Sequence, residues 1–340
     1  MINVAVIGVG KWGQNHARVY KELASEGIID RLKICDADEN RLKQLKSALN
    51  AEWIEYASSY HDVAQDKNID AVSIATPSKT HYPIAKELIE AGKDVLVEKP
   101  MTMDIIEARD LVALADEHNR ILMVGHLMRY HPAIQKLKQM IDTDELGTIH
   151  TMIGTRMDFG LPRKDMGVIY ALGVHELDLF CYLLGINYPK SIVAITSRVY
   201  SQEIEETAII CADFGYAKGY ALESWLISTY GKRRDLVVVG DKASAHIDYL
   251  ATQPLQIFDS AIITEKGVPI SAQAKGKNTI ALPCDEPLRE ELKHFISCVQ
   301  SRQKPLTDGY VGWQAVVMAD AALESTRKGK TIELKEAHTP

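Results

Sequence analysis

The sequence has few of the features that mark disulfide-bonded, metal-binding, membrane or nucleic-acid-binding proteins. Its five cysteines include no C-x-x-C pair and no His/Cys cluster of zinc spacing, which argues against a disulfide framework and predicts no bound metal. No apolar run approaches the roughly 18 residues of a membrane span, and a strand-like run begins at residue 2 without a signal peptide before it. Basic and acidic residues are interspersed at a net charge of −7, which leaves no basic stripe for nucleic acid. We therefore expect a cytoplasmic protein with neither a membrane nor a nucleic acid as partner.

The 340 residues contain two contrasting patterns, which predict two domains without a flexible linker between them. Up to about residue 125, strand-like and helix-like runs alternate with short connections, a pattern typical of an α/β fold with a doubly wound parallel sheet. From Thr148 onward, several strand-like runs follow one another, which predicts an α+β domain with a large, mostly antiparallel open sheet. We place the domains at residues 1–125 and 126–340, with the final helix, Tyr310 to Lys328, able to pack back on the first.

A glycine-rich turn near the N-terminus carries the strongest signal. Gly8-Val9-Gly10-Lys11-Trp12-Gly13 follows the apolar run Ile2 to Ile7 and opens a helix-like segment. That order is the one a dinucleotide-binding turn requires: the first glycine allows the tight turn, the second lets a pyrophosphate approach, and the third lets helix and strand pack closely. The helix N-terminus presents free N–H groups to the phosphates. We expect the whole turn, its lysine and tryptophan included, to contact the cofactor of a Rossmann domain.

An acidic residue, Asp36, ends the next strand-like run, 23 residues beyond Gly13. A carboxylate at this distance can accept hydrogen bonds from the adenosine ribose hydroxyls and would repel a 2′-phosphate, so NAD is favoured over NADP. Arg41 and Lys43 keep NADP open. The alternative is that Asp36 only caps the helix predicted from Glu39 to Leu49.

Polar residues also follow the third and fourth strands of the predicted sheet. Thr76, Pro77 and His81 follow one strand, and Glu98 and Lys99 end the next. Both groups lie at the carboxyl edge, where open α/β sheets bind ligands, so we expect all five to contact the cofactor. A lysine aimed into such a cleft is also a candidate acid/base or electrostatic group. The alternative is a lysine solvated at the strand end.

In the second domain, one helix carries a polar pair among apolar residues. His175 and Asp178 are three residues apart and therefore share a face of the helix, and Gly173 precedes them. A lone histidine on such a helix is commonly structural. Its position after the change of domain, where a substrate domain should face the cofactor, makes it a candidate acid/base group.

Together these residues resemble the Gfo/Idh/MocA oxidoreductases, NAD(P)-dependent dehydrogenases that act mostly on sugars and inositols. The resemblance covers nearly the whole chain. It rests on four motifs in order: the glycine turn, Ala75-Thr76-Pro77 with His81, Glu98-Lys99-Pro100, and Gly173-Val174-His175-x-x-Asp178. Two further segments, Asn15 to Tyr20 and Gly125 to Pro132, are similar to the UDP-N-acetylglucosamine 3-dehydrogenase branch of the family.

The resemblance implies that Lys99 and His175 flank the reacting carbon. His175 is the general base and Lys99 the charged donor that stabilises the developing alkoxide, although the reverse assignment stays open. The resemblance also implies a cis Lys99-Pro100 bond. It implies that residues 1–125 bind NAD(P) and that residues 126–340 bind the substrate. The open sheet of the second domain is expected to form the contacts of a homodimer or homotetramer. The substrate is expected to be a sugar or nucleotide sugar.

One position departs from the family. Ala171 stands where an aspartate usually precedes the histidine by four residues. The loss could mean a different substrate, a lower rate, or a replacement by Asp158, Asp165 or Glu176. Among basic residues, three arginines are candidates to hold a phosphate or carboxylate of the substrate, with surface solubility as the alternative. They are Arg129, Arg156 and Arg163, and Asp178 is a further substrate candidate.

The predicted activity is oxidation of a secondary alcohol on a sugar ring, with UDP-N-acetylglucosamine as one possible substrate. Three alternatives stay open from the sequence: an inositol or free-sugar dehydrogenase, a reductase of imines or enamines, and a non-catalytic sensor of the nicotinamide redox state.

Overall fold

The computed structural model describes residues 1–229, 231–266, 268–283 and 285–334. Within these residues the chain divides into two compact units. The first takes residues 1–130 and 285–316, and the second takes residues 131–283 and 317–334.

The helices are α1 Gly13–Ser25, α2 Glu39–Leu49, α3 Tyr60–Gln65, α4 His81–Glu90, α5 Ile105–Glu117, α6 Pro132–Asp142, α7 Val174–Leu184, α8 Pro287–Ser301 and α9 Gly309–Lys328. The strands are β1 Ile2–Ile7, β2 Ile29–Cys35, β3 Glu55–Ala57, β4 Ala71–Ile74, β5 Asp94–Glu98, β6 Leu122–Gly125, β7 Ile149–Met157, β8 Ser191–Ser197, β9 Thr207–Asp213, β10 Lys218–Ser224, β11 Arg233–Gly240, β12 Ser244–Asp248, β13 Leu255–Glu265, β14 Val268–Thr279 and β15 Ile332–Glu333.

The first unit contains the predicted doubly wound sheet, which is confirmed. Its described strands run parallel in the order β3-β2-β1-β4-β5-β6, so that the chain reverses direction across the sheet between β1 and β4. Ligands bind at such a reversal, outside the carboxyl ends of the strands. Helices α2, α3 and α5 begin at short polar side chains that cap them. At α5, for example, the Asp104 carboxylate accepts from the amides of Ile106 and Glu107.

Helix α8 and the start of α9 belong to the first unit, whereas the sequence assigned them to residues 126–340. The reason is an apolar face of α8, which packs into the same core as β1, α1 and β2. Its buried members are Leu288, Leu292, Phe295, Ile296 and Val299. Sequence periodicity predicts this face but not which domain it covers.

The second unit is built on a sheet whose described strands follow the order β14-β13-β12-β11-β7-β10-β9-β8-β15. All adjacent pairs are antiparallel except β7 and β10, which are parallel. This confirms the mostly antiparallel sheet. One face packs against α7, where Phe180 fills the space above Gly219. The other face is open to solvent at several apolar positions of β7 to β10.

Candidate functional site

The glycine turn between β1 and α1 is shaped by contacts that leave no room for side chains at two of its glycines. Gly8 has a positive φ of 87°, and a Cβ there would lie 2.7 Å from Thr76 Cγ2. A Cβ at Gly13 would collide with the carbonyl oxygen of Gly8. Around Gly10, by contrast, the nearest 4 Å is open, so its backbone is accessible to a ligand. The three glycines therefore differ in their surroundings: Gly8 and Gly13 are enclosed by the turn, and Gly10 is open.

A cavity of about 1040 Å³ adjoins this turn. Of the predicted cofactor residues, five line it: Gly8, Gly10, Asp36, Thr76 and Pro77. Its size and the open backbone at Gly10 suit an extended dinucleotide. When bound, such a cofactor would place its pyrophosphate beside Gly10 and its adenosine ribose beside Asp36.

The carboxylate of Asp36 is held in place by two backbone amides. Asp36 Oδ2 accepts from Val9 N at 2.7 Å, and Oδ1 accepts from Asp38 N at 2.8 Å. The helix α2 is capped instead by Asp38, whose carboxylate accepts from the amides of Asn40 and Arg41. The capping alternative for Asp36 is therefore wrong, and its carboxylate is left lining the cavity.

The far wall of the cavity was not predicted from the sequence. It comes from the short strand β3 and the start of α3, and its residues are Ser58, Ser59, Tyr60 and His61, with Arg41 beside them. A three-residue strand gives almost no periodic signal. The clue that was available is Ser59, which caps α3 by accepting from His61 N.

Glu98 connects the glycine turn to the strand end that carries Lys99. Its Oε1 accepts from Trp12 Nε1 at 2.6 Å and lies 2.9 Å from His16 Nε2. Burial alone would raise the pKa of this carboxyl, but the hydrogen bond and charge of His16 hold it below its usual value. A Cβ at Gly125 would lie 3.0 Å from the same carboxyl. Glu98 is thus held by two hydrogen-bonding groups, Trp12 and His16, and the absence of a side chain at Gly125 leaves room for it.

His81 joins the two strand ends rather than facing the cavity. One ring nitrogen lies 2.9 Å from the carbonyl oxygen of Pro100, and the other lies 2.9 Å from that of Thr76. The side chain is buried, which lowers its pKa. Lys99 follows β5 and is half-buried, and its bond to Pro100 is cis, as expected. Lys11 is exposed on the turn.

His175 lies in the second unit, on the first turn of α7, and is half-buried. A π-helical turn, Ile169–Gly173, leads into it. A Cβ at Gly173 would lie 2.9 Å from Ile210 Cδ1, so the glycine lets the end of that side chain pack against the turn. Asp178, one turn later, is buried. Lys99 and His175 therefore stand on different compact units, each at a position that its own unit fixes.

The three arginines occupy very different surroundings. Arg156 is buried and forms an ion pair with Glu176, while its guanidinium stacks 5.5 Å from the ring centre of Tyr249. Arg163 is an exposed partner of Asp165. Arg129 is buried and donates to the carbonyl oxygen of Leu306 at 3.2 Å.

The acids considered as replacements for the aspartate absent at position 171 have other partners. Glu176 faces the sheet against Arg156, and Asp165 pairs with Arg163. Asp158 accepts from Phe159 N at 2.9 Å. A group of three or more side chains able to hold a metal ion is absent from the described residues. Among the same residues there is also no helix long and apolar enough to cross a membrane.

A Rossmann sheet with a glycine turn, a ribose-facing acid and a lysine at the carboxyl edge defines a nicotinamide-dependent oxidoreductase. Comparison with known proteins agrees. Residues 2–126 match the oxidoreductase family with NAD-binding Rossmann fold, and residues 134–246 match the Gfo/Idh/MocA C-terminal domain. The chain belongs to the Gfo/Idh/MocA oxidoreductase family, and the predicted enzyme class is confirmed.

Similar proteins span the full length of the chain. It is 28% identical over 321 residues to UDP-N-acetylglucosamine 3-dehydrogenase of Acidithiobacillus ferrooxidans, covering 94% of this chain and 95% of that one. It is 27% identical over 358 residues to scyllo-inositol 2-dehydrogenase (NAD(+)) of Bacillus subtilis, covering 99% and 98%. A solved structure of the Acidithiobacillus enzyme matches with a TM-score of 0.81 at 25% identity, covering 96% of this chain and 98% of that one.

Proposed function

We propose that this oxidoreductase removes a hydride from a secondary alcohol of a sugar or cyclic polyol, with NAD as the acceptor. The observation that carries the proposal is Lys99, half-buried at the end of β5 and joined through Glu98 to the glycine turn. A cation at the carboxyl edge of the dinucleotide-binding sheet suits a reaction in which a hydroxyl becomes negatively charged. The relatives named for inositol and for UDP-N-acetylglucosamine support the substrate class.

In the proposed mechanism, the two units supply one group each. The glycine turn, Asp36, Thr76 and Pro77 would hold NAD, which would supply the hydride acceptor. Lys99 donates a hydrogen bond to the hydroxyl oxygen and stabilises the charge that develops on it, and His175 takes the hydroxyl proton. The reverse division of tasks between Lys99 and His175 uses the same two groups. Asp178, Arg129 and Arg163 are the candidates to bind the remainder of the substrate, whereas Arg156 is buried in its ion pair with Glu176.

The substrate is tested by following nicotinamide absorbance with a panel of sugars. The panel contains UDP-N-acetylglucosamine, N-acetylglucosamine, scyllo-inositol, myo-inositol and glucose, each with NAD. Turnover of the nucleotide sugar alone would identify the UDP-N-acetylglucosamine type of activity. Turnover of the inositols, without the nucleotide sugar, would identify the inositol type instead. Oxidation of none of the five would contradict the proposed substrate class.

We also propose that NAD is preferred over NADP, because the Asp36 carboxylate is fixed by two amides beside the ribose position. The protein is expected to bind NADH at least tenfold more tightly than NADPH, an effect of about 1.4 kcal/mol or more. The Asp36→Ala variant should lose this preference, measured by fluorescence titration with both cofactors. Asp38→Ala is the control: it removes the α2 cap from the same cavity wall and should leave the ratio unchanged. Equal affinities in the parent protein would contradict the proposal.

A homo-oligomer formed through the second unit's sheet is proposed from its open face. The face comprises Ile153, Val193, Ile195, Ile209 and Tyr220, which are 38% to 71% exposed. They lie on adjacent strands, with Tyr220 opposite Ile153 and Ile195 opposite Ile209. Contiguous apolar surface of this kind marks an interface between protein subunits.

The oligomer proposal predicts that Ile195→Asp combined with Ile209→Asp yields a monomer in light scattering coupled to size exclusion. Buried carboxylates in an apolar interface would lose their hydration without a partner. Ile106→Asp, at an exposed isoleucine on α5, is the matched control and should leave the assembly unchanged. A monomeric parent protein would refute the proposal.

A cytoplasmic location remains a proposal as well. It is supported by Cys35, Cys181, Cys211 and Cys298, which take part in no disulfide within the described part of the chain. Cys284 lies outside the described residues.

A further inference from the structure

Two adjacent acids that the sequence analysis passed over are buried in the segment between β8 and β9. Glu205 is 3% exposed and Glu206 is 1% exposed. Buried carboxylates are uncommon unless hydrogen-bonded, so the partners of each one indicate its function.

Glu205 is hydrogen-bonded to the start of the π-helical turn that leads into α7, the helix that carries His175. Its Oε1 accepts from Ile169 N at 3.1 Å, and its backbone oxygen accepts from Val168 N at 3.1 Å. Ile169 is the first residue of the π-helical turn, which ends at Gly173, two residues before His175. The first amides of a helical segment have no partner inside it, so an acceptor from another segment determines where that segment begins.

The space around the Glu205 carboxyl is matched to a glycine. A Cβ at Gly167 would overlap this carboxyl group. Gly167 does not have a positive φ, so its backbone conformation is open to any residue. The absence of a side chain at Gly167 therefore leaves room for the Glu205 carboxyl group.

Glu206 has a separate set of partners. Its carboxylate accepts from the amides of Val199, Tyr200 and Ser201 at 2.7 to 3.0 Å. These bonds close its own loop, so Glu206 contributes to the stability of the second unit without bonding to the Ile169 amide. It is a natural control for Glu205.

We propose that Glu205 is a positioning residue for His175. Its carboxylate, which comes from a neighbouring loop, fixes the π-helical turn in this chain, where Ala171 replaces the aspartate that is usual in the family. The inference rests on the proposed function, in which His175 handles the substrate proton. Burial raises the pKa of Glu205, and the amide of Ile169 opposes that rise. A glutamine oxygen could accept from the same amide, so Glu205→Gln would keep the hydrogen bond and remove the charge.

The first test compares alanine variants of the two acids with the best substrate of the panel. Glu205→Ala is expected to lower kcat about 10- to 100-fold, since small displacements of a reacting group cost that much. Its KM for NAD should be unchanged. Glu205→Gln should keep kcat within about threefold of the parent enzyme, because it retains the acceptor. Glu206→Ala should lower the melting temperature with kcat unchanged. Equal losses of kcat in both alanine variants would overturn the inference, because they would reflect a general loosening.

The second test displaces the carboxyl without removing it. Gly167→Ala should reproduce the kcat loss of Glu205→Ala, whereas Gly160→Ala, with open space around it, should have no effect. Both changes break the same contact, the hydrogen bond from the Ile169 amide to Glu205. The double variant Gly167→Ala/Glu205→Ala should therefore be no slower than either single variant. Additive losses would overturn the inference.

A third measurement needs no substrate. Hydrogen exchange followed by mass spectrometry should show weaker protection of residues 168–172 in Glu205→Ala but not in Glu206→Ala. The His175→Asn variant separates the two proposals. If it turns over normally, the catalytic role proposed for His175 fails and this inference with it, while the substrate panel still decides the proposed oxidation. If it is slow while Glu205→Ala is fast and fully protected, only the inference fails.

Discussion

A Lys99→Met variant is expected to lose about three orders of magnitude in kcat, within the range that a positioned acid/base group contributes. Methionine has nearly the length of lysine but neither donates a hydrogen bond nor carries charge, so the developing alkoxide would lack its donor. Cofactor affinity should stay within about threefold, because the glycine turn is tied to this strand end through Glu98, which accepts from Trp12. The measurements are steady-state kinetics and NADH fluorescence titration.

Lys79→Met is the matched control for this prediction. Lys79 also follows a strand at the carboxyl edge of the sheet, but it is fully exposed, whereas Lys99 is half-buried. We expect parent-like kcat for Lys79→Met. If Lys99→Met kept its turnover, Lys99 would have no chemical function. If it lost NADH binding instead, Lys99 would be a cofactor ligand and the proposed mechanism would be wrong.

The parts of the fold that were predictable from the sequence are those set by local patterns. The β1-turn-α1 unit is an example, because strand, glycines and helix are consecutive and each glycine has a local reason. The cap of α5 at Asp104 is another. The sequence also predicts that the first sheet is parallel and the second mostly antiparallel, because parallel strands need helical crossovers and antiparallel strands do not.

What could not be predicted depends on partners distant in sequence. Glu176 follows His175 directly, yet its function is set by Arg156, which lies 20 residues before it on β7. Glu205 contacts Ile169 across 36 residues, and only the fold brings them together. The assignment of α8 to the first unit has the same origin: its apolar face is evident, but its partners α1 and β1 lie more than 250 residues earlier.

The missing aspartate shows why a motif is less informative than its surroundings. From the sequence, Ala171 leaves a gap that three nearby acids could fill, and proximity in sequence was the only criterion. In the structure all three acids have other partners. Glu205, which is bonded to the turn, lies 36 residues after Ile169 on a different loop, so proximity in sequence does not point to it. The relevant property is a buried acceptor next to the turn, which a linear motif does not encode.

The glycine turn gives the second prediction with a large expected effect, and it separates binding from folding. A methyl group at Gly10 meets open space in the protein itself, so Gly10→Ala should fold with an unchanged or slightly higher melting temperature. The same methyl group would press on a bound pyrophosphate. Overpacking of this kind costs about 1 to 3 kcal/mol, which weakens NADH binding by roughly 5- to 150-fold.

Gly13→Ala should behave in the opposite way, because its methyl group would collide with the backbone oxygen of Gly8. Backbone atoms cannot move aside as a flexible side chain can, so the turn and the start of α1 must shift together. We expect the melting temperature to fall by several degrees, at about 2 to 4 °C per kcal/mol for a domain of this size. Calorimetry and NADH titration of both variants, with Gly160→Ala as an alanine control in open space, would check the pair. A stable Gly13→Ala protein with weakened binding would mean that the turn adopts a different conformation, and Gly10 would then no longer be the glycine that faces the cofactor.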